Sequence, residues 1–333
     1  MGENISQGEK ESRQGELNEA ILQLIEQVAI DEVAPGTQLI GHPKYRWIQL
    51  EVIGIGALFL GATLLLILNQ LYIPAVLVLV LLVILAGIFG NTVQLYFRNQ
   101  QTIRERGKQY YANLASHPDR TKVMIEGGSW FNYYKCKDIS DHLADQFNVY
   151  SFAEDGSDIR GILKDNEFKK LVMLEGPQVV LLSAGGKELF EKYFKDLIQS
   201  NPTEGNIFTS YYTALLRDII HLYEEDLEYL TSKSAKVIVS AYDFMVHKEG
   251  ALHQLLSSRG IKDANALKTQ IVNDLNTKVA EMVENHNNVY YLDLRNTLTA
   301  QDWQDEIHPS EAGFLKIAEK FKTKIQEITS VEV

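Results

Sequence analysis

The sequence predicts an α/β fold, a three-layer sandwich around a five-stranded parallel sheet, preceded by a transmembrane helical hairpin. Five short apolar runs alternate with stretches long enough to form helices, at Val123–Ile125, 148–152, 179–183, 236–241 and 289–294. This alternation is typical of a parallel sheet with helices on both faces. Upstream of these runs, two long uncharged segments lie almost end to end, which predicts the hairpin.

The charge balance and the cysteine content exclude several classes of function. Among 333 residues, 44 Asp and Glu outnumber 32 Lys and Arg, for a net charge of -12. Binding to a phosphate backbone favours a basic face, so we expect no nucleic-acid partner. The single cysteine, Cys136, excludes an internal disulfide and a cysteine-based metal site, and it fits a reducing compartment. We expect neither a metal nor a cofactor.

The first 46 residues predict a disordered tail and then an amphipathic helix. Residues 1–16 are polar and lack the apolar core of a cleaved signal peptide. Residues 17–46 comprise a predicted helix, Glu16–Val33, and a linker. Apolar side chains recur in this helix at spacings of three and four: Leu17, Ile21, Leu24, Ile25 and Val28. The helix needs a partner surface, which could be the following domain, a neighbouring subunit or a membrane face.

Two segments within residues 47–90 predict transmembrane helices. Val52–Leu68 and Leu71–Phe89 contain no charged residue, and each has about the length that the hydrocarbon core of a bilayer requires. Only Asn69 and Gln70 separate them, so the pair would form a tight hairpin. A buried hairpin in a soluble protein is the alternative, but neither segment has a polar face.

The flanking charges predict the orientation of the hairpin. Lys44 and Arg46 precede the first segment, Arg98 and Arg104 follow the second, and the connecting turn carries no charge. By the positive-inside rule, both termini and the C-terminal domain should be cytoplasmic. Small residues four apart in the first segment would also permit close helix packing and homo-oligomers.

Residues 91–119 predict a helical stalk and linker between the hairpin and the soluble domain. The segment stays compatible with a helix but becomes polar, and Ser116-His117-Pro118-Asp119 should break it because proline disfavours helix in the residue before it. The soluble domain then covers residues 120–328, and 329–333 form a short tail. A long helix is expected from Ser210 to Lys233.

The first apolar run of this domain leads directly into a serine. In Val123–Trp130, two glycines follow the apolar residues and allow the backbone to turn sharply, so that Ser129 lies at the carboxyl end of a strand. Open α/β folds bind ligands at this edge of the sheet. The alternative is an ordinary turn between a strand and a helix, with a capping serine.

Asp305 and His308 near the C-terminus are three residues apart. In a single helical turn this spacing puts both side chains on one side, so the carboxylate can accept the Nδ1–H of the imidazole and leave Nε2 free as a base. A serine hydroxyl needs such a base to become a nucleophile. Alternatively, His308 merely precedes Pro309 at the start of a helix.

Together these motifs resemble the SGNH hydrolases, also called GDSL esterases and lipases. The resemblance spans about residues 120–328 and implies the flavodoxin-like sandwich of that family. Four blocks occur in the family's order, each after a predicted strand or near the C-terminus: Gly127-Gly128-Ser129-Trp130, Asp155-Gly156-Ser157, Gly185-Gly186-Lys187-Glu188, and Asp305 with His308.

The resemblance assigns a role to each of these residues. It makes Ser129 the nucleophile, His308 the general base and then acid, and Asp305 the carboxylate that orients the imidazole. The amides of Ser129 and Gly156 would donate to the oxyanion, with a third group from the block that contains Gly186 and Lys187. Trp130 would contribute to substrate binding.

Two positions depart from the family's pattern. Gly128 stands where the family has aspartate, and Lys187 stands where it has asparagine. The ammonium of Lys187 could stabilise an oxyanion, but it could also fill the pocket or pair with Glu188 or Glu126.

These observations favour a membrane-anchored, cytoplasm-facing serine hydrolase that cleaves an ester or a thioester. The expected partners are a lipid bilayer, the acyl substrate, and possible further copies bound through the membrane helices and the Glu16–Val33 helix. The alternative is a catalytically degenerate module that binds a ligand or partner and signals through the hairpin. A flavodoxin-like nucleotide binder is disfavoured, because no phosphate loop follows the first strand.

Overall fold

The computed structural model describes residues 72–163, 165–203, 205–233 and 235–330. The predicted tail at 1–16, the helix and linker at 17–46 and the first predicted membrane segment, Val52–Leu68, therefore lie outside the described residues. The chain divides into two compact units, 1–94 and 95–333. Of the first unit, the structure describes the beginning of one long helix.

The second unit alternates strands and helices. The helices are α1 (Tyr72–Ser116, shared with the first unit), α2 (Ile139–Leu143), α3 (Ile159–Leu163), α4 (Asn166–Glu175), α5 (Phe194–Leu197), α6 (Ser210–Ser232), α7 (Ala251–Ser258), α8 (Ala264–Val283) and α9 (Glu311–Thr329). The strands are β1 (Lys122–Gly127), β2 (Asn148–Ser151), β3 (Val179–Ser183), β4 (Ile198–Thr203), β5 (Asn206–Phe208), β6 (Lys236–Ser240) and β7 (Val289–Leu292). A short π-helix spans Glu188–Lys192, and a 3₁₀ turn spans Ala300–Asp302.

The predicted five-stranded parallel sheet is confirmed. Its strand order is β2-β1-β3-β6-β7, and all four neighbouring pairs are parallel. The predicted helix after Ser210 is also present, as α6. The edge strands and β6 end one or two residues before the predicted bounds. After β6, the carboxylate of Asp243 accepts hydrogen bonds from the amides of Asn296, Thr297 and Leu298 at 2.7–3.0 Å. These contacts hold the chain after β6 in a loop.

The core lies on both faces of this sheet. Successive residues of β1 and β3 are buried, although their side chains point alternately to opposite faces. Both faces must therefore be covered, as the continuous apolar runs predicted. The helix α9 packs against α2 and β7, and α6 packs against α3, α8 and β6. The fold is thus a sheet between helical layers.

The sequence analysis did not anticipate the antiparallel pair β4 and β5. This pair forms a separate two-stranded sheet, with Gly205 at a φ of +81° in the turn. Its first strand, IQSNPT, is polar and mostly exposed after Ile198. It therefore lacks the apolar alternation by which strands are recognised in a sequence.

Within the second unit, α1 packs against the α/β core from Leu95 onward, where the sequence analysis placed a stalk and linker. A Cβ atom at Gly107 would come within 2.6 Å of the Tyr150 hydroxyl, so only glycine permits this close approach to β2. The hydroxyls of Tyr110 and Tyr111 both donate to Glu175, at 3.1 and 2.9 Å. The helix ends at Ser116, where the break was expected.

The second predicted membrane segment, Leu71–Phe89, falls on the first part of α1, for which the structure describes the backbone. No helix in the described part of the chain combines the length and the apolar character needed to cross a membrane.

Candidate active site

The candidate site lies where the order of the sheet reverses. The chain passes from β1 to β2 on one side and then returns to β3 on the other, so a crevice opens beyond the carboxyl ends of these strands. A cavity of about 300 Å³ occupies this crevice. Six of the seven predicted site residues line it: Ser129, Trp130, Gly156, Gly186, Lys187 and His308.

The structure brings the predicted serine, histidine and aspartate together. Nε2 of His308 lies 3.0 Å from Oγ of Ser129. Nδ1 of the same ring lies 3.0 and 3.1 Å from the two carboxylate oxygens of Asp305. All three residues are half-buried. This is the arrangement in which a carboxylate orients an imidazole and the imidazole can take a proton from a hydroxyl.

The segment that carries Asp305 and His308 is not the helical turn that the sequence analysis expected. It is a loop, closed by a bridge between Trp303 and Pro309. The Asp305 carboxylate accepts the amides of Ile307 at 3.0 Å and His308 at 2.9 Å. An aspartate side chain can accept hydrogen bonds from backbone amides a few residues further along the chain. Here these bonds take the place of the backbone hydrogen bonds of a helical turn, and the side chains of Asp305 and His308 still meet.

These contacts also set the charge of Asp305. Burial opposes its ionisation, but the hydrogen bond and charge of His308, together with the two backbone amides, outweigh burial and hold the pKa of this carboxyl well below its usual range. A carboxylate that stays ionised can stabilise a protonated imidazole throughout a reaction.

Tyr133 supports the Asp305–His308 pair, and the sequence analysis missed it. Its hydroxyl donates to Asp305 at 3.2 Å, and its ring stacks on the imidazole with centroids 4.6 Å apart. Burial and the neighbouring Asp305 charge raise the pKa of the Tyr133 phenol, so it remains a donor. No pattern in the sequence distinguishes it from the adjacent Tyr134.

Trp130 contacts the cavity but is largely buried, with 5% of its surface exposed. Its indole N–H donates to the carbonyl of Ile307 at 3.0 Å. Its ring also packs edge-on against Tyr242 and Trp303. Besides lining the cavity, it therefore connects the loop after β1 to the loop that carries His308.

The backbone amides of Ser129 and Gly156, both at the cavity, have no acceptor within the described part of the chain. Gly156 has a φ of +75°, a conformation that favours glycine, and a Cβ atom there would approach Leu95 to 3.1 Å. Unpaired donors beside a nucleophile can stabilise negative charge on a carbonyl oxygen.

The loop after β3 carries Gly186, which the family resemblance assigned to the oxyanion or substrate site. The Gly186 amide donates to the hydroxyl of the buried Tyr242 at 3.2 Å, so it already has an acceptor. A Cβ atom at Gly186 would come within 2.5 Å of the Tyr242 ring, which explains the glycine. Gly186 thus lines the cavity with its N–H already bonded to Tyr242.

Lys187 is half-buried and forms no hydrogen bond or ion pair with any residue in the described ranges. Of the two alternative partners considered for Lys187, Glu188 forms no ion pair with it among the described residues. The Glu188 carboxylate instead accepts the amide of Ile159 at 2.9 Å. The ammonium of Lys187 lies 3.6 Å from the position that a Cβ atom on Gly156 would take, so it is close to one of the two unpaired amides.

The helix α1 holds the loop that carries Ser129, a contribution that the sequence did not reveal. Arg106 donates to the Phe131 carbonyl at 2.9 Å and to the Asp138 carboxylate at 2.6 Å. Asp138 in turn accepts the amide of Tyr133 at 2.9 Å. A buried arginine with several acceptors fixes the geometry of the backbone that it binds.

Asn99, about two turns before Arg106 on α1, connects two loops of the site. Its side chain donates to the Asp155 carbonyl at 2.9 Å and accepts the Asp155 amide at 3.2 Å, next to Gly156. It also accepts from the side chain of Asn132 at 3.2 Å. Burial raises the pKa of the Asp155 carboxyl, although the charges of His308, Arg98 and Lys187 oppose this rise.

In the part of the chain that is described, no group of three or more His, Cys, Asp or Glu side chains is placed to hold a metal ion.

A comparison with known protein families finds one match. Residues 126–321, well over half of the chain, match the family model described as GDSL-like Lipase/Acylhydrolase. No curated protein matches the sequence.

Solved structures with similar folds share little sequence with this chain. An acetylxylan esterase from Geobacillus stearothermophilus is 14% identical, with a TM-score of 0.42 over 62% of this chain and 94% of its own. A lipase from Streptomyces rimosus is also 14% identical, with a TM-score of 0.39 over 61% and 99%. A GDSL-like lipase from Bacteroides thetaiotaomicron is 14% identical, with a TM-score of 0.40 over 66% and 97%.

Proposed function

Since the chain belongs to the GDSL-like lipase/acylhydrolase family, we propose that it is a serine hydrolase that cleaves an ester or thioester with Ser129, His308 and Asp305. One observation carries the assignment. The hydroxyl of Ser129 lies 3.0 Å from the imidazole of His308, beside two amides that have no acceptor in the described ranges. A nucleophile, a base and oxyanion donors at one point are what acyl transfer requires.

In the first half of the reaction, Oγ of Ser129 attacks the carbonyl carbon while Nε2 of His308 takes its proton. The carbonyl oxygen becomes an oxyanion, which the amides of Ser129 and Gly156 stabilise. The protonated imidazole then gives the proton to the leaving oxygen or sulfur, and an acyl-serine remains. Water, activated by the same imidazole, releases the acid and restores Ser129.

In this proposal Lys187 is the third oxyanion donor. Its ammonium has no protein partner among the described residues and lines the same cavity as Ser129. The family's asparagine would supply a neutral amide donor at this place, whereas a cation in a half-buried pocket attracts the developing charge more strongly.

We further propose that the chain is anchored in a membrane by Val52–Leu68 and Leu71–Phe89, with both termini and the hydrolase domain on the cytoplasmic side. The support is the absence of charge from both segments and the basic residues that flank them. The domain bounds proposed from the sequence follow from this anchoring, with the hydrolase domain at 120–328. Homo-oligomers through the membrane helices and Glu16–Val33 are part of the same proposal.

The anchoring is tested by adding protease to right-side-out vesicles that contain the full chain. The domain at 120–328 should stay intact, because only the turn around Asn69 and Gln70 would face outward. Its digestion before the vesicles are opened would reverse the proposed orientation.

The catalytic proposal is tested by labelling the purified protein with a fluorophosphonate, which reacts with activated serines. Wild type should be labelled and Ser129→Ala should not. Ser157→Ala is the matched control, because Ser157 lines the same cavity but donates its hydroxyl to Glu154 at 2.6 Å. This variant should be labelled like wild type.

Wild type that resists labelling while folded would favour the alternative function, a degenerate module that binds a ligand or partner and signals through the hairpin. The departures at Gly128 and Lys187 are the observations that favour this second candidate. Equal labelling of wild type and Ser129→Ala would remove Ser129 from its proposed role.

A further inference from the structure

A second cavity adjoins the candidate active site and has no role in the reaction described so far. Its volume is about 720 Å³, more than twice that of the cavity around Ser129. The two cavities share four lining residues: Phe190, Glu191, Ile307 and His308. The larger cavity therefore begins at the imidazole of the candidate base, and its volume is within the range of sites that hold small molecules, about 300–1,000 Å³.

The position of this cavity relative to the imidazole identifies the part of a substrate that would enter it. The smaller cavity is lined by Ser129 and Gly156, so the carbonyl group and the oxyanion belong there. The larger cavity is lined by His308 and Asp305 but by neither Ser129 nor Gly156. In acyl transfer the imidazole gives its proton to the leaving atom, so the leaving group lies on the imidazole side.

The wall of the larger cavity is mainly apolar. Its apolar residues come from the segment after β3, from α7 and from the loop before His308: Phe190, Phe194, Ala251, Leu252, Leu255 and Ile307. Two carboxylates of the wall, those of Asp305 and Glu306, pair with His308 and Lys268. The exposed charged residues are of both signs: Glu191, Lys195, Lys248 and Glu249. Because these charges balance, the rim offers no net attraction to an ionic group, and the apolar wall favours a neutral, apolar ligand.

The buried side of this wall is held rigidly. The Glu306 carboxylate accepts the amides of Leu252 and His253, both at 2.9 Å, and so caps the start of α7. The ammonium of Lys268, which is fully buried, lies 3.2 Å from the same carboxylate. These contacts join α7 to the loop that carries His308, so the cavity and the imidazole keep a fixed relation.

We propose that this cavity binds the leaving group of the substrate and that this group is an apolar alcohol or thiol. The proposal rests on the proposed function, because it needs an acyl transfer at Ser129. During the first half of the reaction, the bond between Oγ of Ser129 and the acyl carbon forms and the bond from that carbon to the leaving atom breaks. The proton of Ser129 passes through Nε2 of His308 to that atom, so the product in the larger cavity is the neutral alcohol or thiol.

The first experiment measures kcat/KM of the full chain on two series of esters. In one series the acyl group is acetyl and the straight-chain alcohol is lengthened, and in the other the alcohol is ethanol and the acyl chain is lengthened. We expect kcat/KM to rise about fourfold for each methylene added to the alcohol, the equivalent of about 0.8 kcal/mol, until the cavity is filled. The acyl series should rise less steeply.

The second experiment fills the cavity from its rim. Ala251 is exposed and lines the cavity at the start of α7, so Ala251→Trp should occupy space without disturbing the core. We expect this variant to lose the dependence on alcohol length. Ala251→Leu should lose part of it. The matched control is Ala266→Trp, since Ala266 is an exposed alanine in the first turn of α8 and lies outside the cavity.

Binding of 1-decanol, measured by calorimetry, separates this proposal from the proposed function. If no ester is hydrolysed but 1-decanol binds to wild type and not to Ala251→Trp, the catalytic proposal fails while the apolar site stands. If esters are hydrolysed without dependence on alcohol length, the leaving-group proposal is overturned and the catalytic one is retained. If Ala251→Trp removes the dependence on acyl length instead, the cavity holds the acyl chain and the assignment is wrong.

Discussion

The two sides of the smaller cavity are built differently. On one side, the loop after β1 is fixed by contacts from three directions: Arg106 binds the Phe131 carbonyl, Trp130 donates to Ile307, and Tyr133 donates to Asp305. On the other side, the loop after β3 has its Gly186 amide turned to Tyr242, and Lys187 projects without a hydrogen-bond partner among the described residues.

This difference matches the chemistry expected of each side. A nucleophile and its base must keep a hydrogen bond of about 3 Å, and small displacements are costly to catalysis. An oxyanion donor on a flexible stem can move toward charge as it develops, but it loses conformational freedom when it does so. The comparison predicts that substitutions on the Ser129 side lower activity because they disturb the geometry or remove a reacting group. Substitutions at Lys187 should lower activity because they remove a charge.

The largest effect is expected when either reacting group, the Ser129 hydroxyl or the His308 imidazole, is removed. Ser129→Ala and His308→Ala should each lower kcat for a short-chain ester or thioester by at least about 10³-fold, and the double variant should be no worse than either single one, because the residues act as a unit. Steady-state kinetics and circular dichroism of the folded variants check this. Full activity in either variant would contradict the catalytic assignment.

The next effect is on stability rather than on chemistry. Arg106→Leu leaves the Asp138 carboxylate buried without its guanidinium partner, and we expect it to lower the free energy of unfolding by about 3 kcal/mol. The double change Arg106→Leu and Asp138→Asn should recover part of this loss, because the buried charge is removed with it. Denaturant unfolding of the full chain measures both.

Arg104→Leu is the control, since Arg104 is an exposed arginine on the same helix. A loss of stability as large in Arg104→Leu as in Arg106→Leu would mean that α1, and not the contact of Arg106 with the loop after β1, is responsible.

The same comparison explains what the sequence could and could not predict. The five strands follow from apolar runs, and the proximity of Ser129, Asp305 and His308 follows from the order of four short blocks along the chain. The contacts of Arg106, Asn99 and Tyr133 could not be predicted, because each depends on side chains that meet only after the chain has folded and none follows a local spacing rule. The two-stranded sheet was missed because its residues are polar.

Lys187 should give a smaller effect than either reacting group. If its ammonium binds the oxyanion, Lys187→Ala should lower kcat by about 10²-fold with little change in KM, and Lys187→Asn should keep or raise activity. If the side chain blocks the cavity, wild type should be nearly inert and Lys187→Asn should create activity, alone or with Gly128→Asp. A Cβ atom at Gly128 has no heavy atom within 4 Å, so there is room for this second change.

Lys192→Ala is the matched control for Lys187, since Lys192 belongs to the same segment but pairs with Asp158 at 2.9 Å. Wild-type activity that is indifferent to Lys187→Ala would contradict both versions and would leave the cavity with two backbone donors.

The smallest expected effect is on the side of the cavity that carries Ser129. It distinguishes the orientation of the His308 imidazole from the loss of a reacting group. Tyr133→Phe keeps the ring that stacks on His308 but removes the hydroxyl that donates to Asp305. Asp305 still accepts the amides of Ile307 and His308, so the loop should hold and the imidazole should lose only part of its orientation. We expect kcat to fall by about tenfold, the lower end of what one hydrogen bond to a charged group is worth, with KM unchanged because Tyr133 does not line the cavity. The control is Tyr134→Phe, in which an exposed neighbour loses the same hydroxyl without any contact to Asp305, and kcat should stay at the wild-type value. A rise in KM with kcat unchanged would show that Tyr133 acts on the substrate rather than on the carboxylate that orients the base.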